Sequence, residues 1–285
     1  PDAVRDEKLK VIRSLDDVAQ HEIVRGQYGP SSGSSGYLEH VGNVTSKSES
    51  YIALKAHLKN WRWAGTPFYL RTGKRLKERI SEIAVMFKEP PHSIFGEEPD
   101  GLRNALVIRL QPNEGITMDV TIKEPGPGGM RLINVPLDMT FAEALGPSVD
   151  QVPDAYERLI MDVIRGNQTL FMRGDEVEAA WNWTDPIIKS WQNRGDIPKY
   201  YDSFSSGPVE AQTLIERDNR KWRVRIMDLE TIQEMKKELE LALINLNEGA
   251  SDEKYSGLLG VASVIGRLNA MEKIHLTRIE SCDTL

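Results

Sequence analysis

Cysteine is almost missing from this sequence, with Cys282 the one thiol in 285 residues. A lone cysteine excludes an internal disulfide and a cysteine-built structural zinc site, and near the chain end a catalytic thiol is hard to enclose. Long apolar runs are missing as well. A run such as Ile83 to Phe87 falls far short of the roughly 20 residues that a spanning helix needs. The opening Pro1-Asp2-Ala3-Val4-Arg5-Asp6 is polar and acidic, unlike a secretory leader. We therefore expect a cytoplasmic protein, and the first residue being Pro rather than Met leads us to expect a piece of a longer reading frame. Positive charge is also short: 43 acidic against 36 basic residues give a net charge of −7. A nucleic acid is not expected as a partner, since phosphate backbones attract net-basic surfaces, and the short apolar runs leave a membrane unexpected as well.

Cofactor and metal motifs are lacking too. A dinucleotide site needs a strand, then Gly-x-Gly-x-x-Gly, then a helix whose N-terminus meets the pyrophosphate. Gly126, Gly128 and Gly129 are interleaved with prolines and read as a loop instead. The five histidines, His21, His40, His57, His92 and His275, show no metal-binding spacing, and none has a nearby carboxylate that marks it as a general base. They read as surface or packing residues. No catalytic, cofactor-binding or metal-ligating residue is assigned within the chain.

What is present is a globular composition: 40% apolar residues, six tryptophans and a mean hydropathy of −0.42. Asp6 to Leu15 reads as a short helix. Ser31-Ser32-Gly33-Ser34-Ser35-Gly36 reads as a flexible surface loop, natural or an engineered linker. Strand-like segments follow at Tyr51–Leu58, Thr66–Arg71, Glu82–Lys88, Leu106–Leu110 and Ile116–Lys123, with a further one at Arg131–Leu137. Their short Pro/Gly connections favour antiparallel pairing. After Met139 the period becomes helical. Asp154 to Arg165 places Tyr156, Leu159, Ile160, Val163 and Ile164 on one stripe. Asp175 reads as the N-cap of a second helix, in a capping-box-like pair with Glu178 and with Val177, Ala180, Trp181 and Ile187 as its buried stripe. Beyond Trp222, Leu229, Ile232, Met235, Leu239, Leu243 and Leu246 form the first stripe of a helical hairpin. The expected fold is α+β: a large, mainly antiparallel sheet covered by helices on one face, plus a C-terminal helical hairpin. Trp61, Trp63, Trp181 and Trp183 are read as core anchors.

Arg71, Lys74, Arg75, Lys77 and Arg79 put five cations into nine residues. Such a cluster is either a solvated turn or a place for a small phosphate ester. Around it runs Trp61-Arg62-Trp63-Ala64-Gly65-Thr66-Pro67-Phe68-Tyr69-Leu70-Arg71-Thr72-Gly73-Lys74-Arg75-Leu76. This segment resembles the glucose-6-phosphate dehydrogenase stretch that leads into the substrate site. Further blocks match in the same order: Ala3 to Lys8, Arg25-Gly26-Gln27-Tyr28, Arg109 to Glu114, Asp154 to Leu159, Asp175 to Trp181, Gly207-Pro208 and Arg217-Asp218.

The resemblance covers residues 1–222 and implies a C-terminal substrate-binding and dimerisation domain, with 223–285 a helical extension of no recognised counterpart. It implies that Lys74 and Arg79 contact the phosphate of glucose 6-phosphate and that Gln111 reaches the sugar; pairing with the sheet is the other role open to Gln111. It also implies an NADP-linked oxidation of glucose 6-phosphate in the pentose phosphate pathway by a homodimer or larger homo-oligomer. The NADP would be bound by an N-terminal domain preceding Pro1, together with the Asp-His-Tyr-Leu-Gly-Lys motif and the catalytic histidine. The isolated chain is therefore expected to be inactive. Three departures stand out: a shorter loop at Gly29–Gly36, Ser206 in place of a common Trp, and Gly174 in place of a second Arg. The alternative is a non-catalytic dimerisation or scaffold module.

Overall fold

A computed structural model describes residues 2–31, 34–89, 92, 103–124, 132–141, 144 and 155–223. The expected hairpin within 223–285, the Gly126–Gly129 loop and Asp154 lie outside the described residues, apart from Arg223. In chain order the elements are α1 (Asp2–Arg13), β1 (Ile23–Gly29), α2 (Tyr37–His40), β2 (Tyr51–Ala56), β3 (Phe68–Gly73), β4 (Ser81–Met86), β5 (Ala105–Gln111), β6 (Gly115–Lys123), β7 (Leu132–Thr140), α3 (Ala155–Ile164), α4 (Gly174–Arg194), β8 (Lys199–Asp202) and α5 (Val209–Glu216). The class is α+β, as expected. The chain divides into two compact units, changing from one to the other at Ser14/Leu15, Lys77/Glu78 and Asp185/Pro186. No described helix is long and apolar enough to cross a membrane.

The first unit holds the sheet β4-β5-β6-β7, antiparallel throughout. Register separates its faces. Ala105, Val107 and Arg109 stand opposite Asp119, Thr117 and Gly115, and on this face Ala105, Val107, Arg109 and Thr117 are buried. Arg109 Nη2 meets Asp138 Oδ1 at 2.7 Å, and Thr117 Oγ1 donates to the same oxygen at 2.6 Å. The alternate residues Ile83, Val85, Met118, Ile122, Leu137 and Met139 form the other face and are exposed.

The second unit holds the sheet β3-β2-β1-β8. Strands β1, β2 and β3 pair antiparallel, while β8 joins β1 in parallel. The described strands thus form two four-stranded sheets where the sequence reading drew one large sheet. Helix α5 packs on β1 and β2. The core is Tyr51, Ala53, Tyr201, Ala211 and Leu214.

Three expectations need correction. Trp61 is fully exposed and Trp181 is 56% exposed, so neither is a core anchor. Trp61 sits in the turn between β2 and β3, outside either strand. Trp191 is buried instead, 4.5 Å beneath the Arg25 guanidinium. At the start of α4 the reciprocal cap uses a different carboxylate: the Arg173 N–H donates to Glu176 Oε2 at 2.7 Å. Asp175 pairs with the Arg173 side chain, 2.7 Å from Nε. Val177 is exposed as well, whereas Ile187 is buried as the stripe predicted.

Candidate functional site

Strand β3 ends at Gly73, where nothing larger fits: a Cβ would lie 2.6 Å from Cδ2 of the buried Tyr51 ring. The turn that follows is tied to the second unit's core by backbone bonds. Lys74 donates its N–H to the Ser50 carbonyl at 2.7 Å. Its own carbonyl accepts from the Tyr201 hydroxyl at 2.7 Å. That donation fixes the rest of the relay: Ser50 Oγ lies 3.0 Å from Tyr201 Oη and donates to it, while accepting the Tyr28 N–H at 3.0 Å. Further on, Phe204 N–H bonds the Arg75 carbonyl at 2.7 Å and Lys77 N–H bonds the Ser205 carbonyl at 2.9 Å. The Lys74 side chain is exposed and makes no hydrogen bond or ion pair among the described residues. A strand end fixed in this way presents a free ammonium to solvent, which suits an anionic ligand.

Burial raises the Tyr51 phenol to about 12, against the lowering effect of nearby Arg71. Burial also raises Tyr201, partly offset by its Ser50 hydrogen bond. Both rings are therefore neutral over the whole physiological range, and Tyr201 remains a donor to the Lys74 carbonyl.

Arg75 takes a left-handed backbone, φ 49°, uncommon for a residue with a Cβ. Its guanidinium lies 5.5 Å from the centroid of Tyr28 and 6.0 Å from that of Phe204. Nη1 donates to Ser34 Oγ, and Nη2 lies 3.4 Å from His40 Nε2. The described ends of the Ser/Gly loop, Ser31 and Ser34, exchange two backbone hydrogen bonds of 2.9 Å.

Arg79 and Gln111 belong to the first unit. Gln111 ends β5 opposite Ser81, two residues past Arg79, and its Nε2 donates to Ser81 Oγ at 3.0 Å. Its amide thus pairs across the sheet, yet the side chain remains exposed. Arg79 is also exposed, without a side-chain hydrogen bond or ion pair among the described residues. The geometry brings Arg79 and Gln111 to one end of the β4–β5 pair, whereas Lys74 sits on the other unit. Sequence reasoning left Ser50 and Tyr201 unseen, since nothing in either segment marks them. It placed Arg75 in the basic cluster without separating it from its neighbours.

A groove of about 270 Å³ also lies in the second unit, lined by Arg71, Gly207, Gln212 and Trp222 among others. Arg71 stacks 4.6 Å from the Trp222 ring there.

Comparison with known proteins gives a consistent picture. The family model described as the glucose-6-phosphate dehydrogenase C-terminal domain matches residues 1–223. Over 230 residues the chain is 54% identical to the glucose-6-phosphate 1-dehydrogenase of Rhizobium meliloti, covering 78% of this chain and 46% of that protein. The Mycolicibacterium smegmatis protein of the same name is 50% identical over 230 residues, with the same coverage. A solved glucose-6-phosphate dehydrogenase in complex with glucose-6-phosphate superposes with a TM-score of 0.70 at 30% identity, over 79% of this chain and 46% of that one. The Mycobacterium avium glucose-6-phosphate 1-dehydrogenase gives 0.64 at 28% identity, over 80% and 45%. The chain spans about half the length of the relatives it matches.

Proposed function

The chain belongs to the glucose-6-phosphate dehydrogenase C-terminal domain family, and from that premise we propose that it is the sugar-phosphate-holding part of a cytoplasmic, NADP-linked glucose-6-phosphate dehydrogenase. The observation that carries the reading is the Lys74 ammonium, exposed and unpaired among the described residues, held at the end of β3 in the segment most like the family's substrate stretch. Lys74 and Arg79 each contact the phosphate, which is nearly dianionic at neutral pH and pairs well with cations. Gln111 takes a sugar hydroxyl. Fixing the remote phosphate orients C1, so binding energy from a non-reacting group contributes to the rate at the reacting one.

In the complete enzyme, the family's nucleotide-binding domain would hold NADP, which would supply the acceptor for the C1 hydride. The C1 hydroxyl proton passes to a base, and C1 becomes the carbonyl of 6-phosphogluconolactone with the sugar ring intact throughout, in the pentose phosphate pathway. These 285 residues carry no dinucleotide motif, so they bind substrate without oxidising it. Titrating glucose 6-phosphate into the chain moves its ³¹P resonance, equal amounts of glucose compete poorly, and no NADPH absorbance grows when NADP is added. NADPH formation by the pure chain, or no ³¹P response at tens of millimolar ligand, refutes the reading.

The exposed apolar face of the β4–β7 sheet favours a homodimer. Ile83, Val85, Met118, Ile122, Leu137 and Met139 lie on one face by register and are open to solvent in the single chain. Contiguous apolar surface of this kind is uncommon on a monomer. A second copy placing the same face against it buries both, giving the isologous contact of a two-fold dimer.

A further inference from the structure

We infer that Arg75 is the positioning residue of the phosphate site: it holds the turn that presents Lys74 and does not touch the ligand itself. The inference rests on the reading of Lys74 as a phosphate contact.

Arg75 follows Lys74 directly, and its side chain makes four contacts with the protein. The guanidinium lies over Tyr28 of β1 and over Phe204 beyond β8, 5.5 and 6.0 Å from the two ring centroids. Its two terminal nitrogens reach Ser34 and His40 in the segment between β1 and β2. An arginine can only donate, so His40 Nε2 accepts. The His40 proton then sits on Nδ1, which lies 3.3 Å from the Tyr28 hydroxyl. Both terminal nitrogens of the guanidinium are thus engaged by the protein, while the ammonium beside it makes no hydrogen bond or ion pair among the described residues.

The backbone supports the same division of roles. A left-handed φ at a residue with a Cβ persists only where its surroundings over-determine it. Here the Arg75 carbonyl is held by Phe204 N–H at 2.7 Å, the Lys74 carbonyl by Tyr201, and Lys77 N–H by Ser205. Phe204 is itself left-handed, φ 66°. Two unfavourable residues facing each other through one hydrogen bond make a turn whose shape depends on what clamps it. The Arg75 side chain is that clamp. It joins the Lys74 turn to β1, to the Ser34–His40 segment and to the chain after β8.

Arg75→Gly removes the side chain and leaves the backbone a residue that takes φ 49° without steric cost, so the fold is retained and its melting temperature reports this. Glucose 6-phosphate affinity is then measured by ³¹P titration for four forms of the chain: unchanged, Lys74→Ala, Arg75→Gly, and both together. We expect Lys74→Ala to weaken binding about tenfold or more and Arg75→Gly about three- to tenfold. In the double variant the Arg75 change adds nothing, because a clamp with no ammonium to place has no work left. Arg75→Lys keeps the charge without the planar fork and recovers less than half of the lost affinity. If the two losses multiply, or if Lys restores binding in full, Arg75 acts as a charge on the ligand and the positioning role is wrong. If Lys74→Ala weakens binding while Arg75→Gly leaves it unchanged, only the positioning role fails. If Lys74→Ala has no effect, the phosphate reading fails first and this one falls with it.

Discussion

Tyr51 carries a buried hydroxyl with no hydrogen-bond partner among the described residues, an arrangement that costs about 1–3 kcal/mol of desolvation. Its ring is what Gly73 and Gly207 make room for. A Cβ at Gly207 would stand 2.5 Å from Tyr51 Cε2, at a φ of 103° that side chains rarely adopt. The ring therefore fits the fold and the hydroxyl does not. Because burial lifts this phenol to about 12, above its unfolded value near 10, the neutral form is favoured on folding. The resulting stability is complete below pH 10 and is lost as pH rises toward 12. Tyr51→Phe is expected to unfold at an equal or higher urea midpoint at neutral pH and to show a shallower alkaline decline; a midpoint lowered at neutral pH contradicts the assignment. Tyr201 differs, because its hydroxyl supports the Lys74 carbonyl.

Elements differ in how plainly the sequence announced them. Strands β2 to β7 carry alternating apolar residues and were legible to within about two residues at most ends. Strand β1 was not, because Ile23–Gly29 contains two glycines and an arginine where β propensity asks for branched residues. Gly26 is there for packing: a Cβ would meet Tyr201, Tyr51 and Pro208 at 3.0 to 3.2 Å. Four-residue β8 is too short for any period to show, and its parallel pairing with β1 has no local signature. The helical period of α3 was legible, but Tyr156, Ile160, Val163 and Ile164 are exposed, since period reports a face and not what covers it. Helix α5 is secured just past its end by Asp218, which takes Lys55 of β2 at 2.7 Å and the Tyr69 hydroxyl of β3. The Lys55 hydrogen bond first, then that of Tyr69, holds the Asp218 carboxyl below its usual range. A depressed carboxyl contributes stability above its unfolded value near 3.8, and that stability is lost as pH falls through the folded value. Asp218→Asn should lower the neutral-pH urea midpoint and flatten the acid limb; an acid limb as steep as that of the unchanged chain contradicts this.

On the scale of the whole molecule, the candidate site residues are shared between two compact units, with the chain changing from one to the other between Lys74 and Arg79. The residue types and their spacing were legible, because charge is written in the sequence. The division was not, because Leu76 and Lys77 look like the rest of the basic cluster, although their backbone pairs with Ser205. The apolar sheet face gives the assembly its test: Met118→Glu puts a charge on its inner strand β6 and should convert a dimer to a monomer by light scattering, whereas an unchanged mass places the interface elsewhere. The central claim, that a free ammonium at the end of β3 grips a sugar phosphate, is tested most directly by the dissociation constant of glucose 6-phosphate for Lys74→Ala beside the unchanged chain. A charge-assisted contact of about 1.5–3 kcal/mol predicts a rise of roughly ten- to a hundredfold with an unaltered melting temperature. Equal constants for the two chains would contradict it.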